Sequence, residues 1–93
     1  MTNNLLLIIR ERINTLDLRI LILLAERRKL VMYAGITKLH LHQPIRDKKR
    51  EYIILNMLSN TATLYGLDSF FITSLFKLII EYSVLTQQAL LRH

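Results

Sequence analysis

Apolar residues in the first half of the chain recur at alternating steps of three and four: Leu6, Ile9, Ile13, Leu16, Ile20, Leu23, then Arg27, Leu30 and Ala34. This spacing predicts the packing seam of one very long helix, with Arg27 standing where a leucine is expected. Lys38 follows eleven residues later, which at about 100° per residue brings it within about 20° of the same direction. A buried charge without a partner costs several kcal/mol. Two cations on one apolar face therefore point to a site for an anion with more than one acidic group.

Turn and cap residues divide the remainder. Asn3 or Asn4 can cap the first helix, its periodicity persists to about Leu41, and Gln43–Pro44 supply a stop. Asp47 reads as the N-cap of a second helix reaching about Leu64, which Gly66 ends in the left-handed conformation. Asp68 caps a third from Ser69 to about Leu91, with Phe71, Leu75, Leu78, Tyr82, Leu85 and Ala89 as its seam. Gly35, inside the first helix, costs roughly 1 kcal/mol relative to alanine, and close packing is the expected reason for it. With no strand, repeat or low-complexity signal, the expected fold is all-α: three helices forming a single domain over residues 1–93.

The unequal helix lengths have a consequence. At 1.5 Å per residue the first helix is roughly 55 Å long and the others about 27 and 35 Å. Two shorter helices packed near its C-terminal half leave Leu6, Ile9, Ile13 and Leu16 uncovered, an apolar strip that needs a partner. A two-fold pairing of long helices closes it most simply, so an intertwined helical homodimer is expected.

Composition narrows the function. The hydrophobic share of 52% is high for 93 residues, and a chain this short buries a limited part of its surface. Without cysteine there are neither disulfides nor thiolate metal sites. Residues 1–4 carry no basic n-region, and Arg10, Arg12, Asp17 and Arg19 interrupt the apolar run that follows. No stretch is expected to approach the roughly 20 apolar residues of a membrane span, so the expected compartment is the cytoplasm and no membrane partner is expected. The net charge of +6 admits nucleic acid, but Tyr and Phe are not interleaved with Arg46, Lys48, Lys49 and Arg50 as in a stacking platform. No nucleic-acid partner is expected either. His40 and His42 point to nearly opposite sides of a helix end, His93 is terminal, and no third ligand is evident, so no metal is expected. Ser83 has no neighbouring histidine for a nucleophilic triad, and two glycines make no phosphate loop.

Several further polar residues have two readings. Asp47, Arg50 and Glu51 form the first turn of the second helix, near the side of Ile54 and Leu58, as a solvated cluster or part of a site. Ser83 and Gln87 lie one turn apart in line with Phe76 and Ile80, as satisfied core polars or ligand contacts. Arg10 precedes Arg27 by seventeen residues, about 100° around the helix and about 25 Å along it. It cannot join the Arg27 site within one chain. It is either a surface charge or a contribution to a partner's site.

The segments Arg10-Glu11-Arg12-Ile13, Leu23-Leu24-Ala25-Glu26-Arg27-Arg28, Pro44-Ile45-Arg46-Asp47 with Arg50-Glu51, and Ile80-Glu81-Tyr82-Ser83-Val84-Leu85-Thr86-Gln87-Gln88 together resemble the all-helical chorismate mutases. The likeness covers nearly the whole chain in one register, and is strongest to mutase domains fused to prephenate dehydratase. It implies an intertwined dimer with two active sites that rearranges chorismate to prephenate with no cofactor and no covalent intermediate, in aromatic amino acid and phenylalanine biosynthesis. By the resemblance Arg27 binds a substrate carboxylate and Arg10 serves the other subunit's site. Lys38 contacts a carboxylate and the ether oxygen, Gln87 the same oxygen, and Ser83 a carboxylate. Asp47, Arg50 and Glu51 surround the ring hydroxyl, with Glu51 accepting its hydrogen bond and Asp47 acting through its backbone. Ile36 stands where relatives often carry lysine, and Tyr33, Lys48, Lys49 and Tyr52 are unusual, none at a matched catalytic position. The rival readings are an isochorismate-pyruvate lyase on the same fold, a basic helical nucleic-acid-binding module, and a pure dimerisation module. The chain is too short to hold a dehydratase or regulatory domain as well, so phenylalanine control is not expected within it.

Overall fold

A computed structural model describes residues 2–92, with side chains from Asn4 onward. The fold is all-α: α1 spans Thr2–His40, α2 Lys48–Leu64 and α3 Ser69–Ala89, followed by a single 3-10 turn, Leu90–Arg92. No strand occurs among the described residues. Helix α1 already includes Thr2, so Asn4 is inside the helix rather than capping it. The side chain of Asn3 and all of His93 lie outside the described residues.

The two interior helix ends close in the same way with different residues. After α2, Gly66 adopts φ 71°, its N–H donates to Thr63 O at 3.2 Å, and Leu67 N–H donates to Ala62 O at 2.9 Å. After α1, His42 adopts φ 55°; its N–H donates to Leu39 O at 3.3 Å and Gln43 N–H to Lys38 O at 2.9 Å. Both endings recapture carbonyls that have lost their helical partners. Glycine enters the left-handed region freely, whereas a residue with a Cβ is strained there by roughly 1–2 kcal/mol. Helix starts follow the expected caps. Asp47 Oδ1 accepts from Arg50 N–H at 3.0 Å and Asp68 Oδ1 from Phe70 N–H at 3.2 Å.

The chain divides into two compact units, Met1–Leu30 and Val31–His93. In the first, exposed apolar residues lie on several sides of the helix, interrupted by Arg10, Glu11, Arg12, Asp17 and Arg19. Leu5, Leu7, Ile8, Leu18, Leu21 and Ile22 are exposed alongside the seam residues. Leu6, Ile9, Ile13 and Leu16 are exposed as expected, but so are Ile20, Leu23 and Leu30, the last at 67%. In the second unit, α2 packs on α3, and Ala62, Ile80, Val84 and Gln87 are buried.

Two expectations need correction. The seam assigned to α3 is not its packed face: Phe71, Leu78, Tyr82 and Leu85 are exposed, while the stripe through Phe76, Ile80, Ser83 and Gln87 turns inward. Helix α3 is apolar around most of its circumference, so a three-four periodicity fits more than one stripe and the tertiary contact decides between them. The second correction concerns membrane-length segments. Ser69–Arg92 is long and apolar enough to cross a membrane by length and composition, with a mean hydropathy of 1.4 over 18 residues. The interrupting charges that break up α1 are few here, with Lys77 and Glu81 inside the helix. Core helices of water-soluble proteins meet the same criterion.

Candidate active site

In the second unit, the C-terminal part of α1 presents Val31 and Lys38 to α3, where Gln87 is 6% exposed. Gln87 Oε1 accepts from Lys38 Nζ at 2.9 Å, and Gln87 Nε2 donates to the Val31 carbonyl at 2.9 Å. Lysine offers only donors and a carbonyl only accepts, so these two neighbours fix which way the amide points. Lys38 Nζ also donates to Ile45 O at 2.6 Å, in the segment between α1 and α2. Lys38 is half-buried. Its ammonium carries three N–H groups and the Gln87 amide two. The bonds to Ile45, Gln87 and Val31 therefore leave one N–H on each side chain outside these contacts. Among the described residues no buried side-chain nitrogen or oxygen lacks a partner. The cost of burying Gln87 is thus met, which is the condition for a polar group to persist on an apolar stripe.

A second cluster forms where α2 begins. Arg46 Nη2 donates to Glu51 Oε1 at 3.0 Å and makes a shorter contact with Glu81 Oε1 on α3. The hydrogen bond from Arg46 holds the Glu81 carboxyl below the ordinary value of 4.5. Reciprocally, Glu81 first and Glu51 second push the Arg46 guanidinium upward. All three groups keep solvent access at their outer edges, so the pairs act more through geometry than through stability. Glu51 is also placed in the first turn of α2, where the helix dipole favours a carboxylate.

The remaining candidates are placed separately. Asp47 spends a side-chain oxygen on the Arg50 N–H and its carbonyl on the Glu51 N–H at 3.0 Å. The Arg50 residue is exposed. Ser83 is half-buried and donates to Ile79 O at 2.9 Å. Arg10 is exposed and Arg27 half-buried, both in the N-terminal unit. The structure thus joins Lys38 to Gln87, and Glu51 to Arg46. Arg46, Glu81 and the carbonyls of Val31 and Ile45 are the groups that sequence reasoning did not assign. Arg46 and Glu81 are 35 residues apart, and no periodicity connects charges on different elements.

Comparison with known proteins places the chain in a family. Residues 9–88 match the family model described as chorismate mutase type II. The bifunctional chorismate mutase/prephenate dehydratase of Escherichia coli K12 is 50% identical over 91 residues, covering 98% of this chain and 24% of that protein. The protein of that name from Enterobacter agglomerans is 48% identical over 90 residues, covering 97% and 23%. The one from Buchnera aphidicola of Baizongia pistaciae is 40% identical over 85, covering 91% and 23%. The chain spans about a quarter of the length of these curated relatives. With the match running through α1, α2 and α3, the chain belongs to the chorismate mutase type II family.

Proposed function

We propose that this chain converts chorismate to prephenate by a Claisen rearrangement, as one of two subunits that share residues between active sites. The observation that carries this reading is the buried Gln87 amide, held by Lys38 and the Val31 carbonyl, in a chain of this family. A pericyclic rearrangement needs no acid, base or nucleophile. It needs a flexible dianion held in its reactive chair, and stabilisation of negative charge on the ether oxygen as the C–O bond breaks. Lys38 and Gln87 supply that stabilisation, each with one N–H to spare beside a neighbour only 2.9 Å away. Donors held in place before reaction spend no free energy on reorganising when the charge develops. The neighbouring buried residues Ile80 and Val84 exclude water and strengthen these contacts.

Arg27 takes one substrate carboxylate, and Arg10 of the second subunit the other, so that two guanidinium groups fix the substrate's conformation. Ser83 adds a carboxylate contact. Glu51 accepts from the ring hydroxyl, oriented for it by Arg46, with Asp47 and Arg50 completing the first turn of α2. The reaction belongs to aromatic amino acid biosynthesis, on the phenylalanine branch, in the cytoplasm.

The homodimer rests on surface area. A folded monomer of 11.0 kDa exposes roughly 5,600 Å², whereas this chain exposes 8110 Å². The excess of roughly 2,500 Å² per chain has the size of an obligate homodimer interface. The exposed Leu and Ile side chains of α1 and the Phe71–Leu78–Tyr82–Leu85 stripe of α3 supply its apolar surface. Supplying the purified chain with chorismate or with isochorismate, and identifying the products, tests the reading. Prephenate from chorismate is expected, and turnover of isochorismate alone overturns the mutase assignment.

A further inference from the structure

Val31, Gly35 and Lys38 are spaced by four and three residues on α1, so they share one helix face. Gln87 bonds to the first and third of them, and the glycine lies between. Gly35 is buried. Among the glycines only Gly66 has a positive φ, so Gly35 occupies a conformation open to any residue. Alanine would also suit the interior of a helix better. Space is therefore the reason for this glycine.

A Cβ built at Gly35 would stand 2.8 Å from Leu90 Cδ1, 2.9 Å from Gln87 Cγ and 3.4 Å from Gln87 Cβ. Contacts under 3.0 Å are essentially never made by real Cβ atoms, so both neighbours must move. They differ in what moving costs. Leu90 meets the new methyl with the free end of a rotatable side chain. Gln87 meets it with the middle of a side chain fixed at both ends, by the α3 backbone and by an amide bonded on both its oxygen and its nitrogen. Its Cγ cannot step aside without lengthening the bond to Lys38 or the bond to Val31.

We infer that Gly35 is a positioning residue: its missing side chain sets the depth at which Gln87 packs on α1, and so holds the Gln87 amide and the Lys38 ammonium as one donor pair. The kinetic consequence rests on the mutase reading, while the placement of the amide does not.

The test uses Gly35→Ala in the full chain with two readouts. In the isotopically labelled chain, the Gln87 side-chain amide proton bonded to Val31 O is expected to exchange slowly with solvent. In Gly35→Ala it is expected to shift and exchange at least about tenfold faster, as when a buried hydrogen bond opens. Turnover of chorismate then falls about 10- to 100-fold, as for a weakened preorganised donor, with KM changed less than about threefold. In a Gln87→Ala background the Cγ is gone, and Gly35→Ala is expected to alter kcat less than about twofold and to raise the melting temperature through better helix propensity. Unchanged Gln87 exchange in Gly35→Ala overturns the inference, as does an equal kcat loss with and without the Gln87 side chain. If Gly35→Ala alone does not fold, a folded double variant more stable than Gln87→Ala supports the inference and an unfolded one overturns it. An unsubstituted chain without mutase activity, but with the amide response intact, would refute the mutase reading and leave the placement of Gln87 by Gly35 standing.

Discussion

Replacing Lys38 by methionine keeps the aliphatic stem and removes the ammonium, so the loss can be read from two contacts. Lys38 Nζ bonds Ile45 O at 2.6 Å and Gln87 Oε1 at 2.9 Å, tying together α1, the following loop and α3. Hydrogen bonds to charged groups contribute about 1.5–3 kcal/mol each. Lys38 is only half-buried, so water recovers part of the loss at the Ile45 carbonyl. The buried Gln87 oxygen has less access to it. A destabilisation of about 2–3 kcal/mol is expected for the pair, measured by urea unfolding. The effect on catalysis is separate and larger in consequence. Losing a preorganised donor at a developing oxyanion slows turnover by about 10²–10³-fold, near 3–4 kcal/mol in the barrier. The assay is kcat for chorismate on a Lys38→Met chain shown by sedimentation to remain folded and associated. Turnover within about tenfold of the unsubstituted chain would refute the donor role of Lys38, because among the described residues no other ammonium bonds Gln87.

Four further outcomes follow from the same geometry. Gln87→Glu places an acceptor against the Val31 carbonyl and can donate to an ether oxygen only when protonated, so its kcat should rise as pH falls; a flat profile contradicts the donor role. His42→Gly relieves a left-handed residue at φ 55° and should stabilise the chain by about 0.5–1 kcal/mol after glycine's entropy is deducted, whereas Gly66→Ala should destabilise it; a lower urea midpoint for His42→Gly would show that the ending is not strained. Arg46 depresses the Glu81 carboxyl below 4.5, so this pair contributes above the unfolded value and is lost as pH falls through the folded one. Glu81→Gln should therefore flatten the fall in stability on acidification below about pH 4.5, and melting curves that fall equally in both chains would contradict the tie. Finally, Arg10→Ala and Arg27→Ala chains, each weak alone, should regain activity when mixed, since one of the two sites then holds both arginines; no gain despite proven subunit exchange argues against a shared site.

The features legible in the sequence are those with local chemistry. Asp47 and Asp68 cap helices because a short carboxylate reaches the N–H two or three residues on, and Gly66 takes a left-handed turn because it lacks a Cβ. Gln87 was visible as a polar residue on an apolar stripe, and the structure satisfies it on both amide atoms. The illegible features depend on other elements. His42 ends α1 in a conformation that its residue type does not advertise. On a helix apolar on most sides, the spacing through Phe71, Leu78 and Leu85 names a stripe that is exposed, and packing against the rest of the fold selects another. The Arg46 link to Glu51 and Glu81 requires two helices and a loop to meet, and only the fold brings those three charges together.

The proposed donor pair of Lys38 and Gln87 is tested most directly by the rate of chorismate loss, with prephenate identified, for the unsubstituted chain and for Lys38→Met at equal concentrations of folded protein. Rapid conversion by the first is expected, and a rate at least about 100-fold lower by the second. A folded unsubstituted chain that leaves chorismate at its uncatalysed rate would overturn the mutase reading, and a Lys38→Met chain as fast as the unsubstituted one would overturn the donor pair.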